Sequence, residues 1–215
     1  WHHEKRQYRP FVTISREAGA YGNTIAGKLT EYLNSQERRK SCPWTLFEKE
    51  LLTKVAQEHD LPLEMLSYFP ESTVSEIEDA LEELFGLHPS QYALVHKVGQ
   101  TILHLAQLGN CVIVGRGSNI ITTSMPHGVH IRLIGSLQMR IEHIMNHMDL
   151  DKKKAVEYIK HHDLDRQKYV RKHFDCDIAD PKHYDLVINT DNVSVDEAVE
   201  LIASLVFKIK ETGKK

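Results

Sequence analysis

FVTISREAGAYGNTIAGKL, residues 11–29, is the stretch whose reading decides the fold. It opens on a continuous apolar run at 11–14 and passes through small residues. It then enters a segment in which Ile25, Ala26, Leu29, Tyr32 and Leu33 share one helical face. An apolar run without alternation suits a strand covered on both faces of a parallel sheet, and the turn at its carboxyl end is where such sheets bind ligands. The start of the following helix offers unpaired N–H groups and a partial positive charge, and small residues let the backbone curl around phosphate oxygens. Gly19, Ala20, Tyr21, Gly22, Asn23 and Thr24 are therefore the candidate phosphate-binding residues. The pattern GxxxxGK[ST] is not met, because reading Thr24 as its hydroxyl residue puts Asn23 at the lysine and Glu17 at the first glycine. On this stretch alone, a phosphate loop and a purely structural strand-to-helix turn are both open.

Working outward, residues 111–114 and 186–188 are two more apolar runs, 129–134 is a fourth candidate strand, and 44–47 a short fifth. Val195, Ala198, Val199, Ile202, Leu205, Val206 and Ile209 line one face of a closing helix whose start is marked by a capping box, Ser194 with Glu197. Strands alternating with helices predict an α/β fold. Between the first helix and the strand at 111–114, helices are expected at 48–59, 75–85 and 91–108, with a second possible capping box at Ser75 and Glu78. That is more chain than a crossover needs, so an inserted helical lobe at about 48–108 is expected. The core then comprises 10–34, 110–148 and 184–210 of a single domain covering 10–215. In residues 152–173 eight Lys/Arg oppose three Asp/Glu, a local charge of about +5. This basic segment, about 149–174, reads either as a solvated amphipathic helix or as a lid.

Composition narrows the function classes. With 215 residues, 41% of them hydrophobic and 27% charged, the chain can bury roughly 70% of its unfolded surface and is globular rather than fibrous or disordered. A net charge of −3 gives no global basic field for nucleic acid or an anionic membrane, so any polyanion must be handled locally. Neither a spanning helix nor a signal peptide is predicted. Cys42, Cys111 and Cys176 are odd in number and form no CxxC pair, which predicts reduced thiols in a cytoplasmic setting and no structural zinc. Cys111 opens a buried strand and is expected to be an inert core thiol.

Two further stretches carry chemistry. In CVIVGRGSNII, residues 111–121, Arg116 stands between two glycines just past the end of a buried strand. There it can grip a phosphate with two parallel bonds, or pair with a neighbouring carboxylate. In DLDRQKYVRK, residues 163–172, a helix would place Arg166 on the side of Tyr169 and Val170, while Asp163, Arg166 and Lys168 could not all share a face. Arginines on such a segment can close over a transferring phosphoryl group and exclude water. His143 and His147 lie i, i+4 without an HExxH pattern or a third ligand, and read as a solvated pair.

VTISREAGAYGNTIAGKL, IVGRGSNII, DLDRQKY and YDLVINTDNVSVDEAVELI together resemble the cytidylate kinase-like family of P-loop nucleoside monophosphate kinases, over about residues 10–209. The resemblance implies a three-layer sandwich around a parallel five-stranded sheet, a helical insert that receives the acceptor, and a lid. It also implies ATP and Mg2+ as cofactors and a nucleoside monophosphate, CMP or dCMP, as acceptor. An ordinary cytidylate kinase loop reads like ITIDGPSGAGKGT. Against it, Gly22 stands at the lysine, Asn23 at the following glycine, Thr24 at the threonine and Arg16 at the first glycine, and Gly117 replaces the acidic residue of GRD. Loops reading SRExGxxG occur in this family. The resemblance assigns the amides of residues 19–24 to the β-phosphate and the Thr24 hydroxyl to Mg2+. Arg116 would hold the acceptor phosphate, with Arg166 and Arg171, helped by Lys168, over the transferring group. Arg16 is the expected stand-in for the lysine, ahead of Lys28, which lies one turn past Thr24. The rival expectations are a nucleotide-binding regulatory module with little turnover, and a kinase for another small phosphorylated or hydroxyl acceptor. Oligomeric state is not encoded in any of these features.

Overall fold

β1 (Phe11–Arg16) is buried over its first five residues because it lies between two parallel neighbours and under helices on both faces. The structure is a computed structural model and describes residues 9–37, 42–48 and 91–213. Among these, β2 (Thr45–Phe47), β3 (Cys111–Val114), β4 (Gly128–Ile134) and β5 (Leu186–Asn189) join β1 in a five-stranded, wholly parallel sheet of order β2-β3-β1-β4-β5. The expected strands at 11–14, 111–114, 129–134 and 186–188 and the short one near 44–47 are all present. The predicted helices at 48–59 and 75–85, with the Ser75–Glu78 box, fall almost entirely outside the described residues, and so does most of the insert.

Alternation along β1 divides the core. Val12 and Ile14 point to the face covered by α1 (Gly22–Gln36) and by the closing helix at Val195–Thr212, through Ile25, Leu29, Leu33, Ile202 and Val206. Phe11 points the other way, where α2 (Gln91–Leu108) packs Val98, Ile102 and Leu105 against it, Cys111 and Ile113. Helices on both faces are what the unalternating apolar strands require. The Cys111 thiol is pushed by burial to about 12, as an inert core thiol should be. The remaining helices are α3 (Ser118–Ile121), α4 (Leu137–Met148), α5 (Lys152–Phe174) and α6 (Val195–Thr212). The capping box predicted for α6 forms in full: Glu197 N–H donates to Ser194 Oγ, and Ser194 N–H donates to the Glu197 carboxylate at 2.8 Å. Among the described residues no helix is long and apolar enough to cross a membrane.

The order matters for function. From β1 the chain passes to β2 and β3 on one side and then to β4 on the other. The connections after β1 and β3 therefore diverge and leave a crevice at their carboxyl ends, the place where open α/β sheets bind ligands.

Candidate active site

The loop after β1 leaves the sheet late, because Glu17 N–H still donates to Leu133 O at 3.0 Å. A turn then closes with Ala20 N–H on Glu17 O, and Tyr21 takes the left-handed conformation (φ 56°) as N-cap of α1. No side chain caps this helix start, so the first-turn amides of Gly22, Asn23 and Thr24 are donors without an intrahelical acceptor. Asn23 and Thr24 are exposed, while Gly22 is buried under a side chain: a Cβ there would lie 2.7 Å from Arg16 Cγ. The stem of Arg16 thus occupies the space where a lysine at position 22 would begin. A side chain at 22 would require the Arg16 stem to shift.

The turn after β3 is built differently. Gly115 N–H donates to Ile14 O at 3.0 Å, and Gly115, Arg116 and Gly117 are all left-handed, with φ of 80°, 58° and 68°. Arginine rarely adopts this region, and holding it there costs about 1–3 kcal/mol, so the surrounding structure must enforce it. The Phe174 ring closes over Gly117, where a Cβ would come within 2.4 Å of it.

α5 crosses both turns. Ala155 and Ile159 pack with Ile141, Ile144 and Ala18, so the basic segment is anchored by an apolar face as well as solvated on the other. Ser15, Arg16, Arg116, Asn119, Arg166 and Tyr169 line one cleft between β1, β3 and α5. Tyr169 has its phenol pushed above the ordinary value by burial, a shift that the Arg116 charge opposes. Three of the four candidate arginines therefore meet. Arg171 does not: it is exposed on the last turn of α5, 3.7 Å from Asp175. Lys168 is exposed and does not line the cleft. Lys28 lies beyond it, paired with Asp196 of α6 at 2.8 Å.

Several residues to which the sequence reading gave no role hold the first loop. Asp163 accepts the Ala18 N–H at 2.7 Å and an Arg140 Nη1–H at 2.5 Å, and lies 3.6 Å from Arg166. Arg140 also donates to Ala18 O and Gly135 O, and Glu17 accepts the Gly135 N–H at 3.1 Å. The reading of His143 as merely solvated is corrected, whereas His147 is exposed: His143 stacks on Tyr21 with ring centres 3.9 Å apart, and its Nδ1 is 2.8 Å from Gly19 O. Asp163 stands three residues before Arg166 on the same helix, a spacing that could have marked it. Nothing local marks Arg140. Among the described residues no group of three or more His, Cys, Asp or Glu side chains is placed to hold a metal ion.

The structure is similar to that of an uncharacterized protein from Eubacterium ventriosum ATCC 27560, with 22% identity, a TM-score of 0.67, and 93% of this chain and 99% of that chain covered. Shikimate kinase from Bacteroides thetaiotaomicron follows at 10% identity and a TM-score of 0.51, covering 93% and 99% of the two chains. Shikimate kinase from Acinetobacter baumannii, solved with shikimate, has 11% identity and a TM-score of 0.50, with 94% and 95% covered. These likenesses establish a P-loop kinase fold. No curated protein sequence matches the chain. The sequence profile of the cytidylate kinase-like family, by contrast, matches residues 11–192. That span runs from β1 past β5 and takes in both glycine turns, α5 and the arginine cleft, and the chain belongs to the cytidylate kinase-like family.

Proposed function

We propose that the protein is a phosphotransferase that uses Mg2+ and ATP to phosphorylate a nucleoside monophosphate, CMP or dCMP. The kinase fold and the kinase-like family support a phosphotransferase. The observation that carries the finer reading is the meeting of Arg16, Arg116 and Arg166, from three separate elements, in one cleft beside the start of α1.

The donors present fit a polyphosphate. The amides of Gly22, Asn23 and Thr24 are uncapped at a helix start, and the stem of Arg16, a residue of the cleft lining, packs against Gly22. Bound Mg·ATP would supply the transferable γ-phosphoryl group and the metal's charge. The Thr24 hydroxyl would ligate the metal, and the amides of residues 19–24, apart from the Ala20 N–H already given to Glu17 O, would hold the β-phosphate. Arg16 would follow the charge that develops on the bridging oxygen, the task of a loop lysine in related folds. Arg116, held by its strained turn, would fix the acceptor phosphate with its planar fork. Arg166 and Tyr169 on α5 would cover the reacting groups and exclude water. Arg171, with its exposed pairing to Asp175, would act only after a rearrangement of α5. Small nucleotides are the partners of this reading, with no nucleic acid or membrane, in a cytoplasmic setting.

A second reading draws on Asp163. A carboxylate already bonded to the Ala18 amide suits a nucleotide-binding regulatory module whose loop is held shut. ADP release measured with Mg·ATP and a panel of nucleoside monophosphates, alongside nucleotide binding by calorimetry, separates the two. Turnover highest with CMP or dCMP is expected. Binding without ADP release above the ATP-only background would establish the module instead, and turnover with another small acceptor alone would move the substrate and keep the enzyme.

A further inference from the structure

Arg132 lies on β4 directly beside Ser15 of β1, and its Nη1–H donates to Ser15 Oγ at 2.7 Å. It is 7% exposed, its Nε is buried without an acceptor, and no carboxylate pairs with it among the described residues. A guanidinium stays protonated at any ordinary pH, and a buried cation without a counter-charge is costly. Its one bond leads to the cleft wall, which Ser15 lines next to Arg116.

The proton arrangement at Ser15 is informative. Its oxygen accepts from Arg132, so its own proton is left to donate. Tyr184 Oη is 3.3 Å away, but that phenol has a single proton and a shorter contact to Ile178 O, at 2.8 Å. The Ser15 proton therefore has only a long contact to give up, and a guanidinium on the oxygen makes that proton a stronger donor.

We propose that Ser15 is an anion-binding residue of the cleft, donating its hydroxyl proton to a phosphate oxygen of the acceptor, and that buried Arg132 is its positioning residue. This rests on the reading of the cleft as a phosphate site, but not on turnover. Arg132 does not touch the ligand. It fixes the Ser15 rotamer and supplies positive charge from behind the wall, so the arginines lining the cleft meet the phosphate from one side and the serine hydroxyl from the sheet.

The test uses inorganic phosphate, titrated into the full chain and read by calorimetry and by the shift in melting temperature. Ser15→Ala is expected to weaken phosphate binding roughly tenfold or more, the loss of one hydrogen bond to a charged group. Arg132→Met is expected to weaken it similarly, Arg132→Lys to restore part of the loss, and Ser15→Ala/Arg132→Met to be no weaker than the worse single variant. Wild-type phosphate affinity in Ser15→Ala would overturn the proposal. So would additive losses in the double variant, which would mean that Arg132 acts independently of Ser15. If the Arg132 variants do not fold, Ser15→Ala alone decides the outcome. Should no nucleoside monophosphate be phosphorylated while the phosphate results hold, the enzyme reading fails and the anion site stands.

Discussion

The two glycine turns that bound the cleft leave neighbouring strands at the same sheet edge, yet they are held in different ways. The turn at Gly115–Gly117 rests on three successive left-handed residues and one amide bond to β1, with a single outside side chain, the Phe174 ring, over Gly117. The loop after β1 also has left-handed residues, Gly19 and Tyr21, but it is bonded to Arg140, His143 and Asp163 of α4 and α5, and its own Glu17 carboxylate accepts the Gly135 N–H. A locally enforced turn suits a fixed anchor. A loop held from α4 and α5 depends instead on contacts from distant parts of the chain.

Breaking the turn at Gly115–Gly117 should have the largest effect. Gly117→Ala combines a left-handed side chain with a collision against the Phe174 ring, and is expected to destabilise the fold by about 2–4 kcal/mol. Urea denaturation measures it, and a change under 1 kcal/mol would show that the turn is not locally enforced. Asp163→Asn comes next. It removes the charge that faces Arg140 and Arg166, at a cost of about 1–3 kcal/mol. Hydrogen exchange should quicken across residues 17–21 and stay unchanged at 115–117, and equal quickening in both turns would erase the distinction between them. The smallest effect is expected from His143→Phe, which keeps the ring against Tyr21 but loses the bond to Gly19 O. About 0.5–1.5 kcal/mol is expected, with a weaker hold on ATP and no change in acceptor binding by calorimetry.

The same contrast explains what could be read from the sequence. The strands were legible because their apolar runs do not alternate, and Arg116 was legible because a turn with glycine on both sides is a local signal. Arg166 was legible through its helical spacing with Tyr169 and Val170, which line the cleft with it. Arg171 is five residues further on, about 140° around the helix, and so falls on the solvent side. The bracing of the first loop was not legible, since Arg140 is 122 residues from the Ala18 carbonyl it bonds, and no local pattern records such a contact. The buried partnership of Ser15 and Arg132 spans 117 residues and depends on strand register in the same way.

Arg16 is expected to carry the charge that a lysine at position 22 would otherwise carry, because its stem stands where that side chain would begin. Steady-state kinetics at saturating Mg·ATP and acceptor, on Arg16→Ala and on Arg16→Ala/Gly22→Lys, test it most directly. Arg16→Ala is expected to lower turnover roughly 100-fold or more, with part of the loss regained when the lysine is restored in the space the arginine has left. Near-normal turnover in Arg16→Ala, with an unchanged melting transition, would contradict the account.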